Sequence, residues 1–247
     1  MLSRFKYRSP EFFLTVILIA AFQLVSAQAL DTIYAGKVLP NAALIKPAHN
    51  RYMMLVSAKN VYRTIKYLDR EVRIDGENLV VIQKLMNGAY TNTDSVIVNR
   101  NTLLPVESYS DINTSKDSFV YKNGRVTGAM LSREGSSKGT ITRVDTAFAR
   151  PLFNGLIYAE TFRGMAYIKN HPFIIAEYVP GHQTKFTTVE YVKNETFSFL
   201  GKQIDTKVIK AHTNGGDIYY WLNAGNQELI KIEAKFPGFD YYLLRTV

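Results

Sequence analysis

"DIYYWLNAGNQELIKIE", Asp217 to Glu233, holds the only tryptophan of the chain beside three other large apolar residues. Ile218, Tyr219, Tyr220 and Trp221 follow one another, so a strand must send large side chains to both of its faces. The return stretch alternates, with Ile230, Ile232, Ala234 and Phe236 on one side and Lys231, Glu233 and Lys235 on the other. That period of two marks a strand with one apolar face. An odd-length loop around Gly225 then sets apolar against apolar, Tyr220 opposite Ile230 and Ile218 opposite Ile232. Tyr219 and Trp221 fall to the other face, beside Lys231 and Leu229. A strand apolar on both faces is usually covered on both, so a helix, a long loop or a ligand must cover that second face.

The same rhythm runs outward from this hairpin. Candidate strands lie at 51–57, 62–67, 79–85, 94–99, 103–110, 118–122, 125–131 and 139–145, then at 173–179, 185–192, 204–212, 217–222, 229–236 and 240–246. Asp75-Gly76, Asn87-Gly88, Asn123-Gly124 and Asn214-Gly215-Gly216 supply the positive φ that tight hairpins need. One interval breaks the pattern. "RPLFNGLIYAETFRG" has Pro151 near its start and Gly164 at its end, which predicts one short helix. Residues 28–50, with Pro40 and Pro47, read as an irregular lead-in, and 51–247 as a single β domain. The expected class is antiparallel β with little helix.

The first thirty residues have a different character. A basic start (Arg4, Lys6, Arg8) precedes an apolar run from Phe12 to Phe22, and Val25-Ser26-Ala27 fits a small-residue cleavage site. This is the layout of a secretory signal peptide, read as 1–27. The apolar run is well short of the ~20 residues of a membrane-spanning helix. Periplasmic or secreted localisation is therefore expected. The chain has no cysteine, hence no lipid-bearing cysteine and no disulfide, and its stability must come from a core. The charge is +9. The leader holds three of the 30 basic residues and one acid, Glu11, so 27 Lys+Arg against 20 Asp+Glu remain after processing. The charges are dispersed through alternating stretches, which suits a solvated surface that meets anionic lipid headgroups and not a nucleic-acid footprint.

The order of these segments resembles a known family. "YYWLN", the polar turn "AGNQ" and "ELIKIEAKF" are similar to the closing hairpin of lipoprotein-carrier-like (LolA/LppX-type) periplasmic proteins. Upstream, "TKFTTVEYVKNETFSFLGKQIDTKVIKAH", the helix-like "RPLFNGLIYAETF", the bend "MAYIKNHPFIIAEY" and "TDSVIVNRNTLLPVESY" follow in the order of an uncharacterised periplasmic domain family of that fold. The resemblance covers Arg51 to the C-terminus. It implies a strongly curved antiparallel sheet forming an unclosed half-barrel, with one or two short helices on the concave side. It also implies that the concave side holds acyl chains, and it supplies no catalytic residue.

Chemistry-bearing motifs are few. "GSSKG", Gly135 to Gly139, matches the nucleophile-elbow pattern, but an elbow needs a helix after it, and "TITRVD" alternates like a strand. His49, His171, His182 and His212 are dispersed and show no metal-ligand spacing. The 16 Tyr and 14 Phe are more suggestive, since tyrosine suits the rim of an apolar cavity. The expected function is binding of a lipid or other apolar ligand, without enzyme activity, cofactor or metal. Candidate ligand-binding residues are Ile218, Tyr219, Tyr220, Trp221, Ile230, Ile232 and Phe186. Contacts with the membrane or with envelope proteins would be transient. The rivals are an envelope interaction module whose own side chains fill the core, and a membrane-spanning barrel, which mid-strand Lys207 and Lys231 disfavour.

Overall fold

Turn dipeptides between alternating stretches become hairpins of one continuous sheet. The computed structural model describes residues 30–58, 61–87, 90–178, 184–199 and 201–246. The signal-like leader, Gly88 of the expected Asn87-Gly88 turn and His182 lie outside them. Eight strands form a first meander: β2 (Ala48–Ala58), β3 (Val61–Asp75), β4 (Asn78–Asn87), β5 (Tyr90–Asn99), β6 (Pro105–Asp111), β7 (Ser115–Lys122), β8 (Arg125–Ser132) and β9 (Ile141–Ala147). A second comprises β11 (Phe173–Tyr178), β12 (Lys185–Phe199), β13 (Lys202–Thr213), β14 (Gly216–Asn223), β15 (Leu229–Phe236) and β16 (Phe239–Arg245). β16 pairs with β2 and joins the two meanders edge to edge. Two-residue strands, β1 (Thr32–Ile33) and β10 (Phe153–Asn154), pair in parallel with the outer edge of β11. All other pairings are antiparallel, and the strand path runs from β1 to β9 without closing.

From residue 30 the expected lead-in is irregular except for β1, a 3-10 turn at Ala42–Leu44 and its last three residues, Ala48–Asn50, which already belong to β2. The β7–β8 hairpin shows why Asn-Gly was needed: Asn123 and Gly124 both have positive φ, 53° and 71°. Such a turn matches the right-handed twist of its strands. The segment between β9 and β11 crosses from one meander to the other and carries the helical residues. They form a 3-10 turn at Gly155–Ile157, capped by the Asn154 side chain, and then α1 (Tyr158–Gly164).

The sheet is wrapped around this crossover. Phe162 of α1 stacks edge-on against Tyr220 of β14 at 4.5 Å, while Glu160 of the same helix pairs with Arg70 of β3. In a flat sheet those strands, four steps apart, would be separated by about 19 Å at roughly 4.8 Å per step, whereas α1 is only about 10 Å long. One core cluster accordingly joins Val96 and Val98 of β5 to Ile175 of β11 and Val189 of β12, with Phe162 and Ile157 among them.

Beyond β5 the sheet keeps turning. Paired residues share a face, so the register Val96–Ser108–Phe119–Gly128–Val144 puts Phe119 on the inner side. Phe119 and Val126 nevertheless cluster with Ala176 and Tyr178, whose face of β11 is opposite to that of Ile175. The two ends of the sheet therefore overlap through side chains without hydrogen bonding as strands. Phe148 meets Tyr178 at 4.7 Å, and Asn154 donates to the Tyr121 hydroxyl at 3.2 Å, across this seam.

Candidate ligand cavity

β14 and β15 pair Tyr220 with Ile232 and Ile218 with Ala234, two residues away from the register expected from the alternation alone. A bulge accounts for one of these two residues and the turn for the other: Trp221 pairs with Lys231 and Leu222 with Leu229, leaving Ile230 without an opposite partner. At a bulge two residues of one strand oppose a single residue of the other. Ile230 consequently joins Trp221 and Val208 on the outer face instead of sharing the face of Ile218, Tyr220 and Ile232.

The cover over Tyr219 and Trp221 is also different from the expected helix, loop or ligand. Lys231 lies 4.2 Å from the centre of the Trp221 ring and is held there by Glu233 at 2.8 Å. Phe197 and Ile204 pack beside it. A lysine stem that shields an aromatic face while its head stays wet suffices to bury Trp221 to 8 % exposure.

The inner face is built differently. Ile218, Tyr220, Ile232 and Ala234 form one wall of a cavity of about 1070 Å³. β11 and β12 add Ile175, Glu177 and Thr187, and Tyr158 and Phe162 of α1 close the opposite side. This volume lies just above the usual range of small-molecule pockets, about 300–1,000 Å³. The mouth lies where the β13–β14 and β15–β16 turns meet the start of β12, lined by Asn214, Phe236, Phe239 and Lys185. Phe186 stands at this mouth, 59 % exposed. Of the seven sequence-derived candidates, the structure thus brings Ile218, Tyr220, Ile232 and Phe186 together at the cavity and places Tyr219, Trp221 and Ile230 behind the sheet.

α1 is a fixed plug. Ala159 through Gly164 are all buried, including Glu160 and Arg163. Arg70 reaches Glu160, Gln83 and the Leu156 carbonyl, and stacks over the Tyr158 ring at 5.5 Å. Arg163 donates to the Leu44 carbonyl at 2.8 Å, and burial pushes its pKa down. No cation of this group reaches the cavity lining.

Sequence reasoning missed Glu177, Tyr158, Phe162 and Tyr241. Glu177 left a signal: in "FIIAEY" it shares a face with Phe173 and Ile175, so a carboxyl had to stand on an apolar side. Burial raises its pKa, while a hydrogen bond from Thr187 Oγ1 (3.2 Å) and the nearby Lys185 partly offset this. Burial likewise raises the Tyr158, Tyr220 and Tyr241 hydroxyls, which are therefore neutral at physiological pH. No described residue hydrogen bonds to any of these three hydroxyls.

The other candidate motifs are not assembled into sites. Ser137 sits in a 3-10 turn between β8 and β9, bonded to Ser132 Oγ at 3.0 Å, without the strand–helix frame of an elbow. His212 bonds to Asp217 at 2.7 Å on the surface, and no metal-like cluster of His, Asp and Glu occurs among the described residues. No described helix is long and apolar enough to cross a membrane.

Fold and cavity together define a rolled, unclosed antiparallel sheet plugged by a short helix and hollow beside it. Residues 55–243 match the family described as "Protein of unknown function (DUF3108)", and the chain belongs to that family. No curated protein matches the chain.

Proposed function

We propose that this is an exported, non-enzymatic protein that binds a lipid or other apolar ligand in the cavity between α1 and strands β11–β16. The observation that carries the reading is the cavity itself: about 1070 Å³, open at one end, with Ile175, Ile218, Ile232, Ala234 and Phe162 in its walls. A core filled by its own side chains, as an interaction module would have, leaves no such space. Each methylene taken from water into these walls contributes about 0.8 kcal/mol, so one acyl chain gives useful affinity. The likeness of the closing hairpin to lipoprotein-carrier-like proteins supports the same reading, and so does the signal-like leader, which would deliver the chain to the periplasm or outside the cell. Since α1 is pinned by buried ionic contacts, the ligand would enter through the mouth at Phe186 and Phe239 while the helix stays in place.

The test is native mass spectrometry of the processed protein after gentle extraction, paired with uptake of an uncharged, environment-sensitive fluorescent probe. Lipid-sized adducts that the probe displaces are expected. A protein that is always bare and takes up no probe would count against binding.

A further inference from the structure

Resting on the ligand-binding reading, the polar groups inside the cavity narrow the class of ligand. We infer that the cavity selects an apolar chain bearing an uncharged hydroxyl or ester group, and that Glu177 is the residue that rejects anionic lipids. Glu177 lies on the inner face of β11, in register with Lys185 at the mouth, and Thr187 holds its carboxyl through a 3.2 Å hydrogen bond. The lining also holds Tyr158, Tyr220 and Tyr241, whose neutral hydroxyls can donate or accept and are satisfied by no described residue. A hydroxyl or ester carbonyl finds partners among these four whatever the protonation state of Glu177.

An anionic headgroup finds no such partner. Of the buried cations beside the cavity, Arg70 is already bound to Glu160 and Gln83 and stacked over Tyr158, and Arg163 of α1 donates to the Leu44 carbonyl; neither is part of the lining. Lys185, the sole cation among the described lining residues, is exposed at the rim, where water screens it. A phosphate or carboxylate drawn into the cavity would thus meet a carboxyl and no buried cation, and an unpaired charge in an apolar site is costly.

The test compares monooleoylglycerol, oleate and oleoyl-lysophosphatidate, below micelle-forming concentrations at pH 7.5, as displacers of the uncharged probe from wild type and from Glu177→Gln. Wild type should take monooleoylglycerol at least tenfold more tightly than either anion. Glu177→Gln should keep its affinity for monooleoylglycerol within about threefold and narrow the gap to the anions to threefold or less. Wild type binding the anions as tightly as monooleoylglycerol overturns the inference while leaving ligand binding intact. An unchanged gap in Glu177→Gln removes Glu177 from the role. If the uncharged probe never binds wild type, the ligand-binding reading falls, and this inference with it.

Discussion

At the scale of single residues, the buried Arg70–Glu160 pair carries the sharpest consequence. Both side chains are almost fully enclosed, 3 % and 2 % exposed. Removing one partner strands the other charge, so Arg70→Met should lower stability by about 3–5 kcal/mol in chemical denaturation. The double replacement Arg70→Met with Glu160→Leu should recover most of that loss, because no charge is left uncompensated. Glu177 behaves in the opposite sense. Its folded-state pKa is raised by burial, so the native state holds its proton more tightly than the unfolded chain does. Below the unfolded value both states are protonated and nothing is lost; as pH rises through the raised value, stability falls. Glu177→Gln should therefore melt close to wild type in acid and above it at pH 7.5. A melting difference that does not widen with pH would contradict this. At this scale the sequence was only partly legible. An acid among the apolar residues of "FIIAEY" was visible, but the Arg70–Glu160 pair joins residues ninety positions apart and has no local signature.

Among the elements, strands and hairpins were the most legible part, because each carries its own alternation and turn chemistry. The lapses have physical causes. β1 and β10 are two residues long and exist only as parallel additions to β11. β12 runs on to Phe199 through a register shift between Tyr191 and Lys193 that interrupts the alternation. The β15 bulge moved Ile230 to the outer face, something that no count of alternating residues could show. Two substitutions test the packing of elements. Phe162→Ala removes the α1 side chain that is seated on Tyr220 and should cost about 3–5 kcal/mol, read as a lower denaturation midpoint. Gly128→Ala would drive a methyl group into the Ser118 carbonyl oxygen of the neighbouring strand and into Phe119. It should destabilise the β7–β8 seam by about 1–3 kcal/mol, with amides of β7 and β8 losing hydrogen-exchange protection first.

For the whole molecule, the order of the strands decides the outcome. Two meanders joined edge to edge by β16 and β2 make a sheet too wide to stay flat over one short helix. It rolls until its ends overlap, and the helical crossover is trapped inside. α1 fills part of the enclosed space next to β3, and the space next to β11–β16 remains hollow. The cavity was legible only as an aromatic-rich inner face, since its volume depends on where α1 is pinned. The measurement that tests the central claim most directly is titration of the uncharged probe into wild type and into Ile218→Trp, with melting curves to confirm that both are folded. Ile218 lines the wall without belonging to the buried core, so the larger ring should occupy the cavity. Saturable binding to wild type, weakened at least tenfold in a well-folded Ile218→Trp, is the predicted result. Equal binding by both proteins, or by neither, would contradict the account.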